Sequence, residues 1–136
     1  MADRETKRSA LGVEHLAVST VKANTALDAG TLCNRLSSDG KIQPGADTAS
    51  TTFGGVVRDA HAAASTAKGI TYRTGEFEFT FGAGSATDAL IGTVVYVNGP
   101  ATVDVAGTTS NDIACGVIAA VPSATTVRVV IDGYVK

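Results

Sequence analysis

With 136 residues, a formal net charge of −2, 15 Gly, one Met and no Trp, this chain has the length of one domain of about 100–150 residues and a core made of small side chains. The charge argues against a general nucleic-acid binder working through a basic surface, and no apolar run nears the ~20 residues of a membrane helix. No secretory hydrophobic segment follows the start, and Cys33 and Cys115 are too few and too far apart for a disulfide scaffold or a metal knuckle. Synthesis in the cytoplasm is expected, with both thiols as small buried residues.

Residues 1–12 are polar and mixed in charge, with Arg4, Lys7 and Arg8 close together. They carry no strand or helix period and read as an arm, either unanchored or ordered on a partner. Residues 13–136 read as a single β domain. A short strand is predicted over Leu16–Val21, and a second is entered between Asn24 and Leu32 through Asp28-Ala29-Gly30. Ser37-Ser38-Asp39-Gly40 is a hairpin turn signal, and Lys41-Ile42-Gln43 leaves it as the return strand. Pro44–Thr52 reads as loop and Phe53–Arg58 as the next strand. The Ala-rich run Asp59–Lys68 has helix propensity but little large apolar side chain to anchor a helix, so a loop or one to two helical turns are expected there.

Glu76-Phe77-Glu78-Phe79-Thr80-Phe81 has a period of two, which puts Phe77, Phe79 and Phe81 on one face as a core strand. Burying three Phe side chains contributes about 4–9 kcal/mol before entropy is counted. Gly82-Ala83-Gly84-Ser85 reads as the link to a second half, with strands near Thr93–Val97, Thr102–Val105, Gly116–Val121 and Thr125–Ile131. In the last of these Val127, Val129 and Ile131 share a face. Eight or nine short strands rich in β-branched residues indicate an all-β fold, a compact small barrel or sandwich.

The two halves also repeat a pattern. Ala29–Cys33, Phe53–Val57 and Thr71–Gly75 in one answer to Ile91–Val95, Ala114–Ile118 and Val129–Gly133 in the other. Gly30 and Gly55 are 25 residues apart, Gly92 and Gly116 are 24 apart. A core of small residues points to thin packing layers or to help from neighbouring subunits, while a sandwich that folds alone is the plainer alternative.

Catalytic patterns are thin. His15 and His61 lack a metal-ligand spacing, although a remote grouping of His61, Asp59 and a serine is open to any fold. Glu76 and Glu78 share a strand face, which a solvated or intersubunit surface explains better than a glycosidase cleft. Gly82-x-Gly84 lacks the rest of a nucleotide or phosphate-loop fingerprint. Acid alternating with Phe77–Phe81 disfavours nucleic-acid stacking. Tyr72, Tyr96 and Tyr134 are isolated candidates for a sugar platform. What remains is recognition through β edges, the arm and long loops.

Several runs taken in order carry a family resemblance: Ala29-Gly30-Thr31-Leu32, Ser38-Asp39-Gly40-Lys41-Ile42, Phe53-Gly54-Gly55-Val56-Val57, Gly75-Glu76-Phe77-Glu78-Phe79, Ala86–Tyr96, Cys115-Gly116-Val117-Ile118 and Thr126–Ile131. Over about residues 16–133 the chain resembles the small capsid decoration, or cement, proteins of tailed bacteriophages. The resemblance implies a β-barrel or tulip-like body with an extended N-terminal arm, added to the outer face of an expanded icosahedral head and often trimeric. It implies the major capsid protein as partner, no enzyme activity, no metal and no cofactor, and neither nucleic acid nor membrane as a direct partner. The arm residues Ala2, Asp3, Arg4, Glu5, Thr6, Lys7, Arg8, Ser9, Ala10, Leu11 and Gly12 would make the capsid contact. The Ala-rich Asp59–Lys68 stretch and Tyr134 depart from an idealised member.

Overall fold

In strands, alternate side chains face opposite sides of the sheet, and the apolar–polar alternation of this chain becomes ten short strands among the described residues. The computed structural model describes residues 18–65, 69–82 and 84–131. In order these are β1 (Val18–Thr20), β2 (Leu32–Leu36), β3 (Ile42–Pro44), β4 (Thr51–Val57), β5 (Gly69–Arg73), β6 (Gly75–Phe81), β7 (Val94–Val97), β8 (Thr102–Asp104), β9 (Ala114–Ser123) and β10 (Thr126–Ile131), with a single 3-10 turn at Asp88–Leu90. The chain is all-β.

Strands β1–β5 form a sheet in the order β1-β5-β4-β2-β3, and β6–β10 close into a barrel in which β6 is followed by β10, β9, β7 and β8. The two orders are the same, strand for strand. Registers agree too. Leu32 faces Val56 and Cys33 faces Gly55, then a register shift precedes the pair Asn34–Phe53. In the second unit Val94 faces Val117 and Val95 faces Gly116, and a shift at the same place precedes Tyr96–Ala114. β8 returns to β6 through the parallel pairs Thr80–Thr102 and Phe81–Val103. The first unit makes the corresponding closure with a single parallel bridge, Val21–Ile42. The Lys22 amide donates to the Ile42 carbonyl at 2.9 Å, as the Gly82 amide does to Val103 at 3.0 Å. The glycine-punctuated halves are therefore a duplicated unit.

The boundary between units differs from the sequence expectation. It lies at Thr74, between β5 and β6, so the Phe-rich strand opens the second unit, and Gly82–Ser85 follows β6 within that unit as Lys22–Thr25 follows β1. Pro44 belongs to β3 and Thr51 to β4, which shortens the expected Pro44–Thr52 loop, and β2 begins only at Leu32. No helix forms in the described part of the Ala-rich run, 59–65. His61 instead exchanges backbone bonds with Leu27, at 2.7 and 2.8 Å, laying that segment across the first unit. Satisfying buried backbone groups outweighs the alanine propensity, since no large apolar side chain offers a helix face to bury.

Two clusters fill the interior. Val21, Leu27, Cys33, Ile42, Val57 and Tyr72 form the inside of the first unit. The larger cluster combines the inside of the second barrel, including Phe79, Phe81, Val95, Val103, Ile118 and Val129, with Leu32, Phe53 and Val56 from the first. The units thus share one core. Gly55 and Gly116 occupy equivalent crowded points: a Cβ would sit 2.8 Å from Cδ1 of the Tyr72 ring at the first, and at the second it would run into the Val130 carbonyl oxygen and lie 2.6 Å from Val129 Cγ1. Gly55 also holds φ at +141°, a conformation that side chains strain to adopt.

Candidate functional site

Phe79 and Phe81 are buried and Phe77 is half-buried on the interior face of β6, with the Phe77 and Phe79 ring centroids 6.4 Å apart. Glu76, Glu78 and Thr80 face outward, as the period of two requires. Glu76 lies 3.7 Å from Arg128 with both side chains well exposed, a surface pair of small energetic weight. Glu76, Phe77, Glu78 and Arg128 line an open depression of about 470 Å³. The depression is open to solvent and is lined by two carboxylates, one guanidinium and Phe77.

The remaining chemical candidates are scattered. His61 Nδ1 is 3.2 Å from the Thr25 carbonyl oxygen, so its ring supports the loop that crosses the first unit. Asp59 is exposed. The Cys33 and Cys115 thiols are buried, and burial pushes each up to about 12, which keeps them protonated and poorly nucleophilic. Tyr72 points inward, and burial raises its phenol to about 12 against the opposing influence of Ser19 and Arg35. It offers no sugar platform. Tyr96 is half-buried. Ala2 through Gly12, His15 and Tyr134 lie outside the described residues.

Sequence reasoning missed the seam between the units. The Leu32 amide donates to the Pro100 carbonyl at 2.7 Å, tying β2 to the β7–β8 hairpin. The Asp47 carboxylate accepts from the Ser110 and Asn111 amides at 2.7 and 2.9 Å and from the Asn111 side chain at 2.9 Å. Those bonds hold Asp47 below the usual carboxylate range. Asp104, beside it, is buried. It accepts from Asn98 Nδ2 at 2.6 Å, and burial, assisted by the Asp47 charge, raises its carboxyl. A narrow cleft of about 150 Å³ lies along the seam between Thr51–Phe53 and Asn111–Ala114.

No family model, curated protein or solved structure matches this chain.

Among the described residues four large aliphatic side chains are exposed. Val94, Val117 and Val130 are exposed on paired strands on the outside of the second barrel, and Ile91 is exposed ahead of β7. Among the described residues no group of three His, Cys, Asp or Glu is placed to hold a metal ion, and no helix is long and apolar enough to cross a membrane. The arrangement can bind through its outer surfaces, where sheet faces, hairpin ends and loops are displayed.

Proposed function

We propose that this protein is a structural capsid decoration protein, which binds the outer surface of an icosahedral phage head and clamps adjacent major capsid subunits. The observation that carries the reading is the pair of joined β units whose interiors are filled by side chains while an apolar strand face lies on the outside. Such a body presents rigid surfaces to protein neighbours. Its buried thiols and solvated carboxylates supply no reaction centre. The order of turns and strands over residues 16–133 adds the resemblance to phage cement proteins.

In this reading the protein is made in the host cytoplasm and ends on the virion exterior as a homotrimer. Each copy makes modest contacts, and several joined copies hold the shell through high effective concentration. The arm, Ala2–Gly12, completes the contact with the major capsid protein. The test is to incubate the purified chain with expanded heads, separate free from bound protein by sedimentation, and map the particles. Many copies on a regular lattice support decoration. A few copies at one vertex or on the tail identify another virion component, and absence from particles rejects both. Deleting residues 2–12 is expected to lower occupancy while the body stays folded; unchanged occupancy rejects the arm's role.

A further inference from the structure

The exposed valines form a continuous row. Val94 pairs with Val117 across β7 and β9, and Val117 pairs with Val130 across β9 and β10. They are 41, 38 and 43% exposed, and Ile91, 49% exposed, precedes β7 in the chain. The duplicated registers give the equivalent positions in the first unit as Leu32, Val56 and Arg73. There Leu32 and Val56 are fully buried, because they pack into the shared core against the second barrel. The face thus occurs twice in each chain; its Leu32–Val56 part is covered where Val94–Val117 is bare, while Arg73, the counterpart of Val130, is exposed.

The covering contact runs in one direction. Leu32 of the first unit meets Pro100 in the β7–β8 hairpin, and Asp47 meets Ser110 and Asn111 ahead of β9. The hairpin of the first unit that corresponds to Gly99–Ala101 is Ser37–Gly40: the Leu36 amide bonds the Lys41 carbonyl as Asn98 bonds Thr102. No reciprocal bond joins Val94 to that hairpin. A contact between two different faces of equivalent units is head-to-tail, and it leaves one face of each kind unused.

We propose that the Val94–Val117 part of the row docks onto the Ser37–Gly40 end of the first unit in a second copy of this chain, repeating between chains the contact that joins units within one. The inference deepens the assembly part of the function proposed above and rests on it only for the expectation that copies associate. The receiving end carries Ser37, Ser38 and exposed Thr52 where the second unit has buried Ile113. The contact between chains is therefore weaker than the one within a chain and dissociates on dilution.

The test uses the full chain in the absence of any phage head. Light scattering across a concentration series is expected to show an oligomer that falls to monomer on dilution. Val117→Glu and Val94→Glu, each made separately, should weaken association by about tenfold or more, as expected for the loss of one buried valine contact, with the dilute melting curve unchanged. Should a glutamate variant fail to fold, cysteines decide the matter. Val94→Cys chains mixed with Ser38→Cys chains should yield a mixed disulfide, the native thiols being buried. A monomer at every concentration, an oligomer indifferent to both glutamates, Val94→Cys homodimers, or no mixed disulfide would overturn the proposal. A monomer that still decorates heads would do so while leaving the function above intact.

Discussion

The two units share a strand order and register, yet they bury different things in them. The second barrel is closed by two parallel pairs and lined by Phe79, Phe81 and aliphatic residues. The first closes on the single bridge Val21–Ile42 around a smaller cluster that includes a thiol and a phenol. Where the second presents Val94 and Val117 to solvent, the first turns the equivalent Leu32 and Val56 inward against its neighbour. One backbone plan thus serves as a closed barrel in one half and, in the other, as a five-stranded sheet joined at its edges by one bridge, whose outer face is buried against the barrel. Register sets which residues are equivalent; only the neighbour sets which of them are buried.

The most severe way to break this comparison is to empty the interior at the closure. Phe81→Ala removes a buried ring from the second barrel and is expected to cost about 3–5 kcal/mol. Its equivalent Val21→Ala removes far fewer atoms and should cost about 2 kcal/mol or less. Denaturant midpoints measure both, and equal losses would show that the first unit's single bridge matters more than its small side chains indicate. Gly116→Ala and Gly55→Ala come next, each about 1–3 kcal/mol from overpacking. Gly116→Ala should be the worse, because its Cβ runs into the Val130 backbone carbonyl oxygen as well as Val129. Gly55→Ala combines a strained φ with a clash against the Tyr72 side chain alone.

A smaller and sharper contrast separates the equivalent valines. Val56 is fully buried and Val117 is 38% exposed. Val56→Ala is expected to cost about 2 kcal/mol in the dilute chain, whereas Val117→Ala should fall within about 0.5 kcal/mol. Thermal melts at low concentration compare the two directly. Similar losses would mean that the two outer faces are not differently covered.

Much of this plan was legible in the residues, and the limits were physical. The runs around Gly30, Gly55 and Tyr72 and those around Gly92, Gly116 and Val129 do mark equivalent strands, because tight turns and crowded backbones both demand glycine. The place of β6 was misread, since Gly82-Ala83-Gly84 looks like a linker when only glycine is counted. Gly30-Thr31 and Gly92-Thr93, 62 residues apart and standing immediately before β2 and β7, carry the register of the duplication. No local pattern in Val94–Val97 or Gly116–Val121 says which valines face outward, or whether such a face is covered. Asp47 reaches partners 63 and 64 residues away, a contact that exists only once the units have docked.

That seam offers the finest test, because its two carboxylates respond to pH with opposite sign. Asp47 titrates below its ordinary value of 3.8 when folded, so the unfolded chain binds more protons in that window. Its contribution is present above the ordinary value and is lost as pH falls through the lowered one. Asp104 titrates above 3.8 when folded; there the folded chain holds more protons, and stability declines as pH rises from 3.8 through the raised value. Asp47→Asn should therefore flatten the acid limb of a stability–pH curve, and Asp104→Asn should remove the decline above it. Burial is the larger cause at Asp104 and the Asp47 charge the smaller. Asp47→Asn should accordingly lessen the decline without abolishing it. Identical curves for the two variants would show that the seam does not hold these groups apart in the folded protein.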